Sequence, residues 1–172
     1  MTGPQGVQAG AGEAAAVPLD ARQLAVVQHA LDAHAGRLGA LLPILHAIQH
    51  ELRFVPAAAV PLIAVRLNLS RAEVHGVISF YHDFRAQAPA GRVIKLCRAE
   101  ACQAVGAVAL EAHARRTLGI GEDGRSADGR HTLEPAYCLG NCACGPSLLL
   151  EDELHARVSP QRFDTLVAEA KP

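Results

Sequence analysis

The chain predicts an α+β protein, helical in its first half and mixed in its second. Three observations carry that prediction. Apolar residues recur at helical spacing from Leu24 to Tyr81, and beyond Gly91 the pattern changes to short alternating runs. All five cysteines fall between positions 97 and 144, with none in the first 96 residues.

Met1 to Pro18 is mostly Gly, Ala, Gln and Pro with one charge, Glu13. Such a stretch buries too little to offset its ordering entropy, so residues 1–18 are expected to form a flexible tail. Asp20 with Gln23 resembles a capping pair, and Leu24, Val27 and Leu31 follow at helical spacing until Gly36. Leu38 to Arg53 predicts a second helix with Leu41, Leu42, Leu45 and Ile48 on one face, provided Pro43 sits in its opening turn. Pro56 opens a third helix through Val60, Ile63, Ala64 and Leu67, bent or shortened by Pro61 and stopped at Asn68 to Ser70. Ser70-Arg-Ala-Glu73 is a capping box for a fourth, with Val74, Val77, Ile78 and Tyr81 as its apolar face. Residues 19–87 therefore read as a helical segment, and Ala86 to Gly91, with Pro89, as a linker.

A second domain is expected over residues 91–172. Arg92 to Cys97 reads as a strand, Val105 to Leu118 as a helix, Gly119 to Gly129 as a loop, and His131 to Tyr137 as a second strand. Ser147 to Leu150 and Leu154 to Val158 suggest a hairpin, and Ser159 or Pro160 starts a closing helix to Ala170. Each early cysteine pair thus follows a strand.

Composition narrows the function. The net charge is −1, aromatic residues are 3%, and there is no tryptophan, so neither the charge nor the stacking platforms of a nucleic-acid binder are present. No run approaches the roughly 20 apolar residues that span a bilayer, and the longest, around Leu41, is broken by Pro43 and His46. The start lacks a basic segment and an apolar stretch, so an oxidising compartment is not indicated and a cytoplasmic protein is expected.

The chemistry lies in Cys97, Cys102, Cys138 and Cys142, separated by four, thirty-five and three residues. Close pairs on two distant loops supply ligands that converge on a metal or an iron–sulfur centre. Zinc loops hold about two to four residues between paired ligands, so spacing alone leaves zinc open. A zinc-stapled docking module is then the alternative. A thiol redox protein fits poorly because the Cys-x-x-Cys motif is absent. Gly140 and Gly145 flank Cys142 and either let backbone N–H groups approach the sulfurs or simply form turns. Cys144 could substitute for Cys142, ligate a different metal or be a spare thiol held near the centre. His46 and His50 lie four apart on one helix face, yet lack a third ligand and default to plain polar residues, as do His75, His82 and His113. Glu100, between two of the cysteines, reads as a solvated charge. Phe80, Tyr81 and Phe84 read as core, and as an interface candidate if exposed.

The flanks carry a resemblance. Cys97-Arg-Ala-Glu-Ala-Cys102 and Tyr137-Cys-Leu-Gly-Asn-Cys-Ala-Cys-Gly-Pro146 resemble the binding loops of thioredoxin-like [2Fe–2S] ferredoxins. Leu42 to Phe54 and Ser70 to Phe84, centred on Gly76-Val-Ile-Ser-Phe-Tyr81, resemble the helical segment that precedes the ferredoxin part in that family. The resemblance implies a thioredoxin-like α/β ferredoxin domain behind an N-terminal helical bundle, and a [2Fe–2S] cluster on Cys97, Cys102, Cys138 and Cys142. The family provides small iron–sulfur subunits of respiratory complex I, NAD-reducing hydrogenases and NAD-dependent formate dehydrogenases. Phe80-Tyr-His-Asp-Phe84, Arg98-Ala-Glu-Ala101 and Ala143-Cys-Gly-Pro146 are most similar to the formate dehydrogenase gamma subunit. That branch implies a flavin- and NAD-binding iron–sulfur partner and a molybdenum- or tungsten-containing, formate-oxidising subunit. No phosphate-cradling loop or nucleophile elbow appears, so the chain reads as a carrier rather than a catalyst.

Overall fold

A computed structural model of the protein describes residues 17–169. The flexible tail expected at 1–18 lies, apart from Val17 and Pro18, outside the described residues. The architecture is α+β, with the chain dividing between Ala88 and Pro89 into two compact units.

In the first unit, α1 (Ala21–Ala33) opens with a complete capping box. The Gln23 N–H donates to the Asp20 carboxylate at 2.8 Å, and the Asp20 N–H donates to Gln23 Oε1 at 3.2 Å. The helix stops three residues short of Gly36, because His34 already leaves the helical backbone. The second helix, α2 (Leu41–Leu52), starts at Leu41 rather than Leu38, which puts Pro43 in the opening turn, where its missing N–H costs nothing. Arg53 ends it in the left-handed region at φ 69°. The expected third helix divides at its prolines: extended Pro56 leads into a 3-10 turn (Ala57–Ala59), and α3 (Val60–Leu67) carries Pro61 in its first turn. Ser70 and Glu73 close the box on α4 (Arg71–Phe80), Ser70 N–H to Glu73 Oε2 at 2.8 Å and Glu73 N–H to Ser70 Oγ at 3.1 Å.

Val27, Leu31, Ile44, Leu45, Ile48, Ile63 and Val74 form the core of this unit. Buried Gln49 ties the segment after α4 back to α2: its Nε2 donates to the Asp83 carbonyl at 2.6 Å, and its Oε1 accepts from the Arg85 N–H at 2.7 Å. The aromatic group does not behave as one body. Phe84 is buried against the His46 ring, whereas Phe80 is 74% exposed and Tyr81, already extended, is also exposed. Helical spacing ends at Phe80, so only Phe84 is returned to the core.

The second unit is a four-stranded mixed sheet in the order β2-β1-β3-β4. Strand β1 (Arg92–Cys97) pairs in parallel with β2 (His131–Ala136), and Cys97 stands opposite Ala136. Strand β3 (Leu148–Leu150) runs antiparallel to β1 and to β4 (Glu153–His155). The expected second hairpin arm, 154–158, is shorter, because Arg157 turns the chain at φ 48° and frees Val158 to enter the core. The crossover from β1 to β2 contains two helices where the sequence pattern predicts one. They are α5 (Glu100–Ala104) and α6 (Ala107–Leu118), broken at Gly106, whose φ of 102° no helix accommodates. The last helix, α7 (Pro160–Glu169), lays buried Phe163 beside Ile94, Leu96, Leu110, Leu133 and Leu148.

Candidate metal centre

Both strands expected to deliver cysteines do so. Cys97 is the last residue of β1, and its N–H donates to the Ser147 carbonyl at 3.1 Å. Cys102 sits within α5 rather than in a loop, and with Cys97 and Ala107 it forms a small buried cluster. Cys138 follows β2, and Cys142 opens the 3-10 turn Cys142–Cys144. All five cysteines are free thiols.

The thiols come together in pairs. The Cys138 and Cys142 sulfurs are 3.7 Å apart. Two thiolates sharing one tetrahedral metal at about 2.3 Å stand at about this separation. Cys97 and Cys102 are near enough for each thiol to bear on the other, and Cys142 is close enough to bear electrostatically on Cys102. Among the described residues, no three His, Cys, Asp or Glu side chains close on a single point. Two thiols to each of two metal atoms fits this pairing.

Each pair resists holding two negative charges. Burial, followed by the hydrogen bond with Cys97, pushes the Cys102 thiol above its ordinary value, and a backbone hydrogen bond from Ser147 opposes the rise. The Cys142 thiol is pushed up first by its hydrogen bond with Cys138 and then by the charge that Cys138 would carry. A bound cation removes that penalty, since thiolates crowded at contact distance become its ligands. The backbone adds its own donors. The Gly140 N–H donates to Cys138 Sγ at 3.3 Å, from a left-handed position at φ 75° that glycine adopts without strain.

Gly145 is required by close approach. A Cβ there would stand 2.9 Å from Val105 Cγ2 and 3.2 Å from Cys102 Sγ, so the second loop rests directly on the first. Cys144 is half-buried, and its main chain fastens the turn: its N–H donates to the Asn141 carbonyl at 3.0 Å, and its carbonyl accepts from Arg157 N–H at 2.8 Å. Ser147, nearly fully buried, accepts from Asn141 Nδ2 at 3.1 Å and donates to the Cys144 carbonyl at 3.3 Å.

The other candidates have surroundings of their own. His46 packs against Phe84 with the rings tilted at 50°, and His50 faces Glu51 at 3.3 Å, while Glu100 is an exposed charge in the first turn of α5. His113 meets Asp164 at 2.7 Å. Sequence reasoning misses Arg98 and Glu111, thirteen positions apart, whose side chains form an ion pair next to the first cysteine loop. No local pattern could have paired them.

Known proteins match along most of the chain. Residues 27–171 match the family described as thioredoxin-like [2Fe-2S] ferredoxin. The NADH-quinone oxidoreductase E subunit of Pseudomonas aeruginosa is 33% identical over 135 residues, 78% of this chain and 81% of that one. The subunit of the same name from Escherichia coli K12 is 31% identical over 157 residues, 91% of this chain and 94% of its own. Among solved structures, an NAD+-reducing [NiFe]-hydrogenase in the air-oxidized state superposes with a TM-score of 0.63 at 26% identity over 75% of this chain. The match spans only 22% of that hydrogenase chain. With the match running through both units, the chain belongs to the thioredoxin-like [2Fe–2S] ferredoxin family, whose cofactor is a [2Fe–2S] cluster.

Proposed function

We propose that the chain holds one [2Fe–2S] cluster on Cys97, Cys102, Cys138 and Cys142 and passes single electrons within a multisubunit NAD-linked oxidoreductase. The observation that carries this reading is the drawing-together of the thiols two by two, with the Cys138 and Cys142 sulfurs 3.7 Å apart. When bound, the cluster supplies one-electron exchange at a potential set by its ligands, hydrogen bonds and exposure. The chain's own residues supply four thiolates, aim the Gly140 N–H at one of them, and exclude water around Cys97 and Cys102.

A nicotinamide accepts a hydride, so a group that converts between one and two electrons must lie between it and a one-electron carrier. A partner subunit with a flavin and an NAD site fills that role. The parent complex on this reading is a cytoplasmic NAD-dependent formate dehydrogenase, with a molybdenum- or tungsten-containing subunit oxidising formate. Phe80-Tyr-His-Asp-Phe84, Arg98-Ala-Glu-Ala101 and Ala143-Cys-Gly-Pro146 support that branch. The similarity to the E subunits of NADH-quinone oxidoreductases favours a second reading, the corresponding subunit of a quinone-reducing complex. Among the described residues, no helix is long and apolar enough to cross a membrane, which is compatible with either branch.

The test is an absorption spectrum of anaerobically purified chain, followed by its assembled complex. Charge-transfer bands between about 400 and 600 nm that bleach with dithionite are expected. A colourless, zinc-containing chain would leave a zinc-stapled module instead. In the complex, bleaching by formate supports the formate dehydrogenase branch, and bleaching by NADH but not formate turns the assignment to the quinone branch.

A further inference from the structure

We infer that Arg98, held in place by Glu111, is a positioning residue that sets the two cysteine loops against each other. This rests on the reading of the four cysteines as cluster ligands. The main chain and the guanidinium of Arg98 are both engaged, and each engagement leads to a different part of the centre. Its N–H donates to the Ala136 carbonyl at 2.7 Å, at the end of the strand that feeds Cys138. Its carbonyl accepts from Gln103 Nε2 at 2.6 Å, and Gln103 is the neighbour of Cys102. The guanidinium faces Tyr137, the residue before Cys138. It also binds Glu111 of α6 through both edges of the fork, Nε to Oε2 at 2.7 Å and Nη2 to Oε1.

Glu111 is built to hold that grip. It lies in the middle of α6, is largely buried, and accepts a further bond from Arg115 Nε at 3.1 Å, one helical turn on. The hydrogen bond from Arg98 holds its carboxyl below the ordinary carboxylate range, with Arg115 adding to the effect. Arg98 meets the carboxylate with both edges of its fork and Arg115 adds a single bond, which leaves the contact little rotational freedom. The peptide immediately after Cys97 is thereby joined to α6, to the end of β2 and to the residue after Cys102. The main chain of Arg98 makes the ties to β2 and to Gln103 by itself, and the guanidinium, which touches no sulfur, adds α6 and Tyr137 to them.

The experiment uses the full chain, purified anaerobically with its cluster, as wild type and as Arg98→Ala, Arg98→Lys and Glu111→Gln. Two quantities are read: the rate of iron release to a chelator, and the paramagnetic resonance g-values of the dithionite-reduced centre. Arg98→Ala is expected to release iron about 10-fold faster or more, the scale on which groups behind metal ligands act. Its g-values should shift, because the thiol pairs change their relative placement. Glu111→Gln should move both readouts the same way by less, and Arg98→Lys, which keeps the charge without the fork, should fall between wild type and Arg98→Ala. Should Arg98→Ala fail to fold, the other two variants carry the test. Wild-type g-values with release within about twofold of wild type in the variants that fold would overturn the inference. So would faster release with unchanged g-values, which is the mark of general destabilisation. A wild-type chain that binds no iron would overturn the ligand reading itself.

Discussion

Cys97 and Cys102 sit at a strand end and in a helical turn, 2% and 1% exposed, whereas Cys138 and Cys142 ride on an open turn and face solvent. The first pair is placed by regular structure, with Ala107 packed against it and β1 bonded on both edges. The second is placed by short-range devices: the left-handed Gly140, the turn at Cys142–Cys144, and the web joining Asn141, Ser147 and Arg157. One half of the centre is thus an extension of the core, and the other is a lid-like loop resting on it through Gly145. Damage to the first half should act through packing, and damage to the second through backbone conformation.

Serine substitution separates the halves most strongly. Cys97→Ser and Cys102→Ser should abolish iron binding and also lower the melting temperature of the metal-free chain. A hydroxyl buried without a partner costs about 1–3 kcal/mol. Cys138→Ser and Cys142→Ser should lose or remodel the cluster while leaving the metal-free chain as stable as wild type, because an exposed hydroxyl is hydrated. Cys144→Ser should keep its iron. Iron content per chain and thermal unfolding of the stripped proteins read both effects, and equal iron loss in the Cys142 and Cys144 variants would remove the distinction between them.

Gly145→Ala should come next, because it strikes where the halves touch. The added methyl meets Val105 Cγ2 at 2.9 Å and Cys102 Sγ at 3.2 Å, and β-branched Val105 has little freedom to turn aside. Overpacking of this kind costs about 2 kcal/mol and should reduce cluster occupancy. Combining it with Val105→Ala should recover stability in chemical denaturation, since the closest contact is then gone. A Gly145→Ala chain as stable and as fully loaded as wild type would mean that the loops are not in register through this contact.

Gly140→Ala tests the second loop alone. At φ 75° an alanine is strained by about 1–2 kcal/mol, and relief of that strain carries the N–H away from Cys138 Sγ. A lower reduction potential is expected, because a sulfur that loses a hydrogen-bond donor stabilises the reduced centre less. The stability of the metal-free chain should fall only by the strain itself. An unchanged potential would show that this donor does not act on the cluster.

How much of this is legible in the sequence follows the same division. The capping boxes at Asp20 and Ser70, the place of Pro43 in an opening turn and the delivery of Cys97 and Cys138 by strands all depend on residues within a few positions of each other. Local chemistry decides them, and pattern reading reaches them. The one-turn helix α5 is too short to show a period, so the pattern starts the helix at Val105 and leaves Cys102 in a turn, and it runs through Gly106, where the structure breaks. The same periodicity puts Tyr81 on a helical face although the helix has already ended at Phe80. The Arg98–Glu111 pair, the Gln49 clasp and the contact of Gly145 with Cys102 join residues 13, 34 to 36 and 43 positions apart. Only the fold brings those together.

The smallest expected effect reaches both strands of the centre at their far ends and so discriminates least between the halves. His131 opens β2 directly opposite Arg92, which opens β1, and its ring is buried with Nε2 lacking a hydrogen-bond partner among the described residues. Burial first, and then the charge of Arg92, hold its pKa below the ordinary 6.5; Asp128 opposes them, and Arg130 adds a smaller push in the same direction as Arg92. A group whose folded pKa is depressed in this way stays neutral while the unfolded chain takes up a proton. The native state is therefore penalised progressively as pH falls below the unfolded value, and unpenalised above it. Unfolding free energy of the metal-free chain should decline between about pH 7 and pH 5.5, and His131→Phe should flatten that slope. Because β1 and β2 are neighbours in one parallel ladder, acid should loosen the seats of Cys97 and Cys138 together. Exchange protection of the Ile94 amide in β1 and the Thr132 amide in β2 should fall in parallel. Loss confined to β2 would mean that the strand feeding the exposed half opens on its own, and the contrast between the loops would then extend back into the sheet.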